Sequence, residues 1–262
     1  MRQQGIWNWT LPAWAGRLPS GRTYNTCPSA GICAHICYAR AGAYRFPSVL
    51  ARHEMNLEYV LDDLSGWEHQ MGHELLAKRF LKSWVRIHDA GDFFSDEYLK
   101  AWLRIIQSAP EHVNFYAYTK EVSRFRELVD PRKYPRFRYV FSLGGVQDHL
   151  LDLTVEPHAD VFPDAASVRA HGYTSQASSD LIAVSGRIRI GITANRHRHL
   201  QRIQGERSFG ALQRQQRAAA RDRHGRRCAT GRRSSACSHS GPTAPSPECP
   251  VQNPHTPPQA ST

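Results

Sequence analysis

Between residues 84 and 192 short apolar runs alternate with amphipathic stretches, and this alternation limits the possible folds more than any other feature of the chain. "WVRIHDAGD" (84–92), "HVNFYAYTK" (112–120), "RFRYVFSLGG" (136–145) and "HADVFPD" (158–164) read as strands. Between them, "SDEYLKAWLRIIQSA" (95–109) reads as a helix capped by Ser95, with Asp96 and Glu97 at its positive end. "EVSRFRELVD" (121–130) is a short helix stopped by Pro131, and "VQDHLLDL" a helical turn. Upstream, "IWNWTLPA" (6–13) reads as a first strand, with helices over 47–64 and 67–83. "LIAVSGRIRIGI" (181–192) supplies one or two final strands.

Strand and helix in strict succession predict an α/β fold: a parallel sheet with crossover helices, arranged as a partial (β/α) barrel. The polar residues that end the strands then gather on one rim, where parallel α/β folds place their active sites. Those residues are His88, Asp89 and Asp92, then Thr119 and Lys120, then Ser142 and Asp164.

Charge divides the chain. Residues 191–262 hold 12 of the 34 Lys and Arg but 3 of the 23 Asp and Glu, so most of the net charge of +11 lies there. From residue 213 onward Arg, Ala, Ser and Pro dominate and large apolar side chains nearly vanish. Such a segment buries too little surface to offset its ordering entropy. The expected division is an α/β domain over 1–212 and a disordered basic tail over 213–262, dispensable for metal binding and able to touch nucleic acid nonspecifically. No apolar run approaches the roughly 20 residues of a membrane-spanning helix. Asn8, Thr10 and Pro12 interrupt the N-terminal stretch, which does not read as an export signal. The expectation is no membrane contact, a cytoplasmic location and reduced thiols.

Against that background "NTCPSAGICAHICYARAG" (25–42) places Cys27, Cys33 and Cys37 within eleven residues, and the other three cysteines fall in the basic tail. Three soft ligands on one loop suit zinc or an iron–sulfur cluster. Zinc calls for a fourth ligand, with His35, His53 or His88 as candidates. A 4Fe–4S cluster on three cysteines keeps one iron open to a cofactor or substrate. The plainer alternative is three thiols packed as small apolar groups.

The stretches "CPSAGICAHICYARAGAYRF", "VRIHDAGDFFSDEYLKAWLRI" and "VNFYAYTK" resemble the phage gene product 88 family, across roughly residues 6–212. That resemblance implies a phage or prophage setting and, by itself, no reaction. More loosely, three cysteines after the first strand and a glycine–acid pair after the second resemble the radical S-adenosylmethionine enzymes. This second resemblance implies a 4Fe–4S cluster on Cys27, Cys33 and Cys37, with Gly91 and Asp92 binding the amine of S-adenosylmethionine. His88, Lys120 and Ser142 would then line the side facing an unknown substrate. The spacing here is C-x5-C-x3-C, where the commonest in that superfamily is C-x3-C-x2-C, and Ile36 replaces the usual aromatic. Ala90 and Asp92 stand where a glycine and a glutamate are usual.

Other constellations compete. "HDAGD" offers His88, Asp89 and Asp92 to a hard divalent ion. "HRHL" (197–200) resembles the His-hydrophobic-His metal site of rolling-circle initiators, but Arg198 would point a cation at the metal. Tyr38, Tyr44, Phe46 and Phe94 near Arg40 and Arg45 have the composition of a single-strand-binding surface. The second reading of the whole chain is therefore a zinc-stabilised nucleic-acid-binding protein without catalysis.

Overall fold

The computed structural model describes residues 5–194 and 197–231. Seven strands form one sheet: β1 (Ile6–Trp9), β4 (Trp84–Ile87), β5 (Asn114–Thr119), β6 (Phe137–Ser142), β7 (His158–Phe162), β8 (Thr174–Ser175) and β9 (Arg189–Thr193). Their order is β1-β4-β5-β6-β7-β9-β8, and every pairing is parallel. The expected α/β class holds, with a correction to its shape. The sheet is open, with β1 and β8 at its edges, and does not close as a barrel. A hairpin of β2 (Ala15–Arg17) and β3 (Thr23–Asn25) is inserted after β1.

The helices are α1 (Ile32–His35), α2 (Pro47–Asp62), α3 (Leu64–Glu74), α4 (Asp96–Ser108), α5 (Val122–Leu128), α6 (Ala165–Ala170), α7 (Arg198–Gln204) and α8 (Phe209–Gly231). α4 shows why they form. The Ser95 side chain accepts from Tyr98 N, and Asp96 and Glu97 occupy the first turn. Tyr98, Leu99, Trp102, Leu103, Ile105 and Ile106 recur at helical spacing and are all buried. Trp102 meets Trp67 of α3 edge-on at 5.2 Å, and Trp9 of β1 packs on Trp67 at 5.5 Å. Truncating an aromatic in such a layer costs about 3–5 kcal/mol.

Strand alternation separates two faces. Val85, Ile87, Phe115, Ala117, Phe137 and Phe141 join the large core under α2–α5. On the other face, Tyr116 and Val140 join a smaller core with Ala183 of the helical turn Asp180–Val184. Arg86, Tyr118 and Ser142 lie at the same alternate positions as that second face, and there the cavity described below opens.

Residues 181–192, expected as one or two strands, divide into that turn and β9, with Gly186 between them at φ +78°. The expected start of a disordered tail at 213 falls inside α8. The chain separates into a compact unit over 1–220 and a second over 221–262. Of the second, the described part is the last turns of α8, and residues 232–262 lie outside the described residues.

Candidate functional site

A cavity of about 570 Å³ opens at the carboxyl ends of β4, β5 and β6. Cys27, Cys33 and Cys37 line it, and so do His88, Gly91, Asp92, Lys120 and Ser142. The eight residues singled out in the sequence therefore border one space. Asp164, placed on the same rim by sequence, instead caps α6 by accepting from Ser167 N.

The cysteine loop is fixed to this edge along its length. Asp92 N donates to Thr26 O, and the Thr26 hydroxyl donates to Pro12 O. Ser29 N donates to the Glu121 carboxylate beyond β5, and Gly31 N and Cys33 N both donate to Gly144 O beyond β6. Ile36 packs on Phe209 and Leu212 of α8, with Ile32 and Cys33 against them. Gln213 Oε1 accepts from Ile32 N at 2.6 Å. Gln213 lies one residue beyond the expected domain boundary, so the segment from 213 onward begins with a side chain that braces the cysteine loop.

The thiols are free and partly buried. Burial pushes Cys27 well above its ordinary pKa, reinforced by Asp92 and Cys33, and pushes Cys37 up to about 11. Among the described residues no group of three or more His, Cys, Asp or Glu side chains is gathered around a point that could hold one metal ion. His88, Asp89 and Asp92 in particular face different partners, so "HDAGD" does not form the single-ion site considered above.

Asp92 is 4% exposed. Its Oδ1 accepts from Phe93 N and the Thr119 hydroxyl, and its Oδ2 from Lys120 N at 2.8 Å. Burial holds this carboxyl above its ordinary range in spite of those bonds. Of roughly four acceptor positions on a carboxylate, three are taken and one remains for a ligand. Gly91 beside it has φ +84°, and a Cβ there would sit 2.8 Å from Leu11 Cβ, so only glycine fits. Lys120 Nζ donates to Ser142 Oγ at 2.7 Å. Burial pulls the Lys120 pKa down, but Cys33, Asp92, Asp148 and Cys27 together hold it above its ordinary value.

His88 borders the cavity while its ring turns into the core, 4.6 Å from Phe93. The Tyr98 hydroxyl accepts from Trp9 Nε1 and shares a 2.9 Å hydrogen bond with His88 Nε2. Burial, with Arg86 adding, lowers the His88 pKa to about 3. Its role here is a neutral support.

Sequence reasoning missed the polar cluster opposite. Arg86 on β4 pairs with Asp89 at 3.3 Å and Asp180 at 3.2 Å. Tyr44 donates to Asp89, Tyr116 to Asp180, and Tyr38 to Asp89 O. An arginine inside an apolar strand is the signal that could have exposed it. The aromatics proposed for stacking on bases divide accordingly: Tyr38 and Tyr44 hold Asp89, Phe94 stacks on Tyr98, and Phe46 remains 60% exposed.

No helix among the described residues is long and apolar enough to cross a membrane. No solved structure matches the chain. Two curated proteins do: the "Gene 88 protein" of Mycobacterium phage L5, 36% identical over 111 residues, and that of Mycobacterium phage D29, 35% identical over 112. Each match covers 39% of this chain, and 46% and 45% of those relatives, so the chain spans less than half the length of either. The family model described as "Gene product 88" matches residues 1–231, and the chain belongs to that family.

Proposed function

We propose that this chain is an iron–sulfur enzyme of the radical S-adenosylmethionine type, with Cys27, Cys33 and Cys37 as cluster ligands and the adjoining cavity as its reaction chamber. The observation that supports it is that three thiols of one anchored loop share a cavity at the carboxyl edge of parallel strands. A single zinc binds thiolates at about 2.3 Å, which puts tetrahedral sulfurs about 3.8 Å apart. No three donors among the described residues are gathered in that way. A four-iron cluster takes each thiolate on a different iron and does not need them gathered around one point.

Desolvated thiols are poor nucleophiles, which argues against a cysteine-nucleophile enzyme. When bound and reduced by an external one-electron donor, the cluster would supply the electron that cleaves the sulfonium of S-adenosylmethionine to a 5′-deoxyadenosyl radical and methionine.

The chain's own groups do the rest. Lys120, steadied by Ser142, holds a positive charge beside the thiolates. The last acceptor position of Asp92 would take a donor such as the cofactor amine, with Gly91 allowing close backbone approach. His88 is uncharged at neutral pH and supports the floor of the cavity.

Protein purified without oxygen should contain about four irons and four acid-labile sulfides per chain. Cys33→Ala should lose most of both, and S-adenosylmethionine with reductant should yield 5′-deoxyadenosine with the parent alone. Equal metal in variant and parent would sink the assignment. One zinc without sulfide would move the weight to a zinc-stabilised nucleic-acid-binding protein.

A further inference from the structure

A second cavity, of about 510 Å³, adjoins the first and shares Cys37 and Leu200 with it. Its walls carry Arg40, Arg45, Arg198 and three histidines, His35, His197 and His199, and no Asp or Glu. Among the described residues none of the three guanidinium groups makes an ion pair or a side-chain hydrogen bond. Several arginines elsewhere do have a carboxylate partner, among them Arg86 with Asp180, Arg104 with Glu68, Arg124 with Glu121 and Arg126 with Glu156. Three uncompensated cations around one cleft repel each other, and an anionic ligand relieves that repulsion.

The cleft is built from two distant segments. Arg40 and Arg45 belong to the helical turns Tyr38–Arg40 and Gly42–Arg45, directly after the cysteine loop. The Arg40 guanidinium lies over the Trp14 ring at 5.0 Å, which holds it at the wall. His197, Arg198 and His199 come from the start of α7. The segments meet where the His197 ring packs on Gly42, since a Cβ there would stand 2.8 Å from His197 Cε1.

We infer that this cleft binds the phosphate groups of a nucleotide unit, free or within a strand, and leads its base toward the cysteine cavity. Guanidinium forks match phosphate oxygens in pairs, and imidazoles add further donors. Past Cys37 the wall continues with the rings of Tyr38 and Tyr44, packed edge to face at 5.7 Å, against which a planar base can lie. The inference rests on the charge and position of the cleft and stands whether or not a cluster occupies the neighbouring cavity. If one does, it names the substrate class.

The test uses the full chain and three probes: inorganic pyrophosphate, a nucleoside diphosphate, and a labelled ten-nucleotide single strand with pyrophosphate as competitor. Arg45→Gln with Arg198→Gln should weaken the diphosphate about tenfold or more. Arg45→Lys with Arg198→Lys should restore part of the loss. Arg232→Gln with Arg233→Gln removes the same charge from the tail and should leave the diphosphate unchanged. These cleft arginines are exposed, so the variants should fold, which circular dichroism checks. Strand binding that fails in the cleft variant identifies a strand as the source, and diphosphate binding without strand binding identifies a free nucleotide. Equal affinity of cleft variant and parent would overturn the inference, as would strand binding lost only in the tail variant without diphosphate binding. Pyrophosphate binding as tightly as the nucleotide would overturn the role of the base.

Discussion

His88 concentrates several constraints in one residue. It sits at φ +67°, its ring is buried, and its Nε2 is occupied by the Tyr98 hydroxyl. The unfolded chain takes up a proton there near pH 6.5, the folded one only near pH 3. Between those values the unfolded state binds more protons, so stability is full above about pH 6.5 and is lost as the pH falls. A shift of that size amounts to on the order of 5 kcal/mol. His88→Asn, with a side chain that tolerates positive φ, should remove this slope. Urea midpoints at pH 7 and pH 5 should lie closer together in the variant than in the parent. Asp148, raised by burial to about 6, works in the opposite sense between about pH 4 and 6. It does so in both proteins, so the comparison isolates His88, and an unchanged slope would refute the argument. Asp92 teaches the complementary lesson: its residue type suggested a ligand-binding acid, while two of its bonds tie the loop after β4 to the end of β5 and a third stays within the loop.

At the scale of elements, two braces stand out, one at the amino edge of the sheet and one behind the rim. The first is Arg136, just before β6. Its guanidinium donates to Ile106 O, Ala109 O, Pro110 O and Val113 O, closing the carboxyl end of α4. Unpaired carbonyls at a helix end, partly withdrawn from water, are costly. Arg136→Met should lower unfolding free energy by about 2 kcal/mol in urea titrations while leaving any metal content unchanged. A loss below about 0.5 kcal/mol would show that water satisfies those carbonyls equally well. The second brace is α8, whose Phe209, Leu212 and Gln213 hold the cysteine helix from behind. A chain ending at 212 should lose iron and sulfide, whereas one ending at 231 should keep both. Metal analysis of the two truncations decides it, and full loading of the shorter one would remove α8 from the site.

Across the whole molecule, the sheet advances strand by strand from β1 through β7 before the single reversal at β9 and β8. That order brings residues from four separate stretches, the cysteine loop and the ends of β4, β5 and β6, to one cavity. Much of this was legible in the sequence. Period-two strands, a capped amphipathic helix and turn residues act over a few neighbours, so they identified the α/β class and the strand-end rim. Clustering of Cys27, Cys33 and Cys37 is likewise local. Strand order, the open sheet, the grip of α8 on the cysteine loop and the cleft between Arg45 and Arg198 were not legible. They depend on contacts between residues far apart in the chain, which no local pattern encodes. Tertiary structure alone decided that Asp92 and His88 are held by the fold and that three arginines stand without acids around one opening, because burial, partner choice and uncompensated charge exist only once distant segments meet.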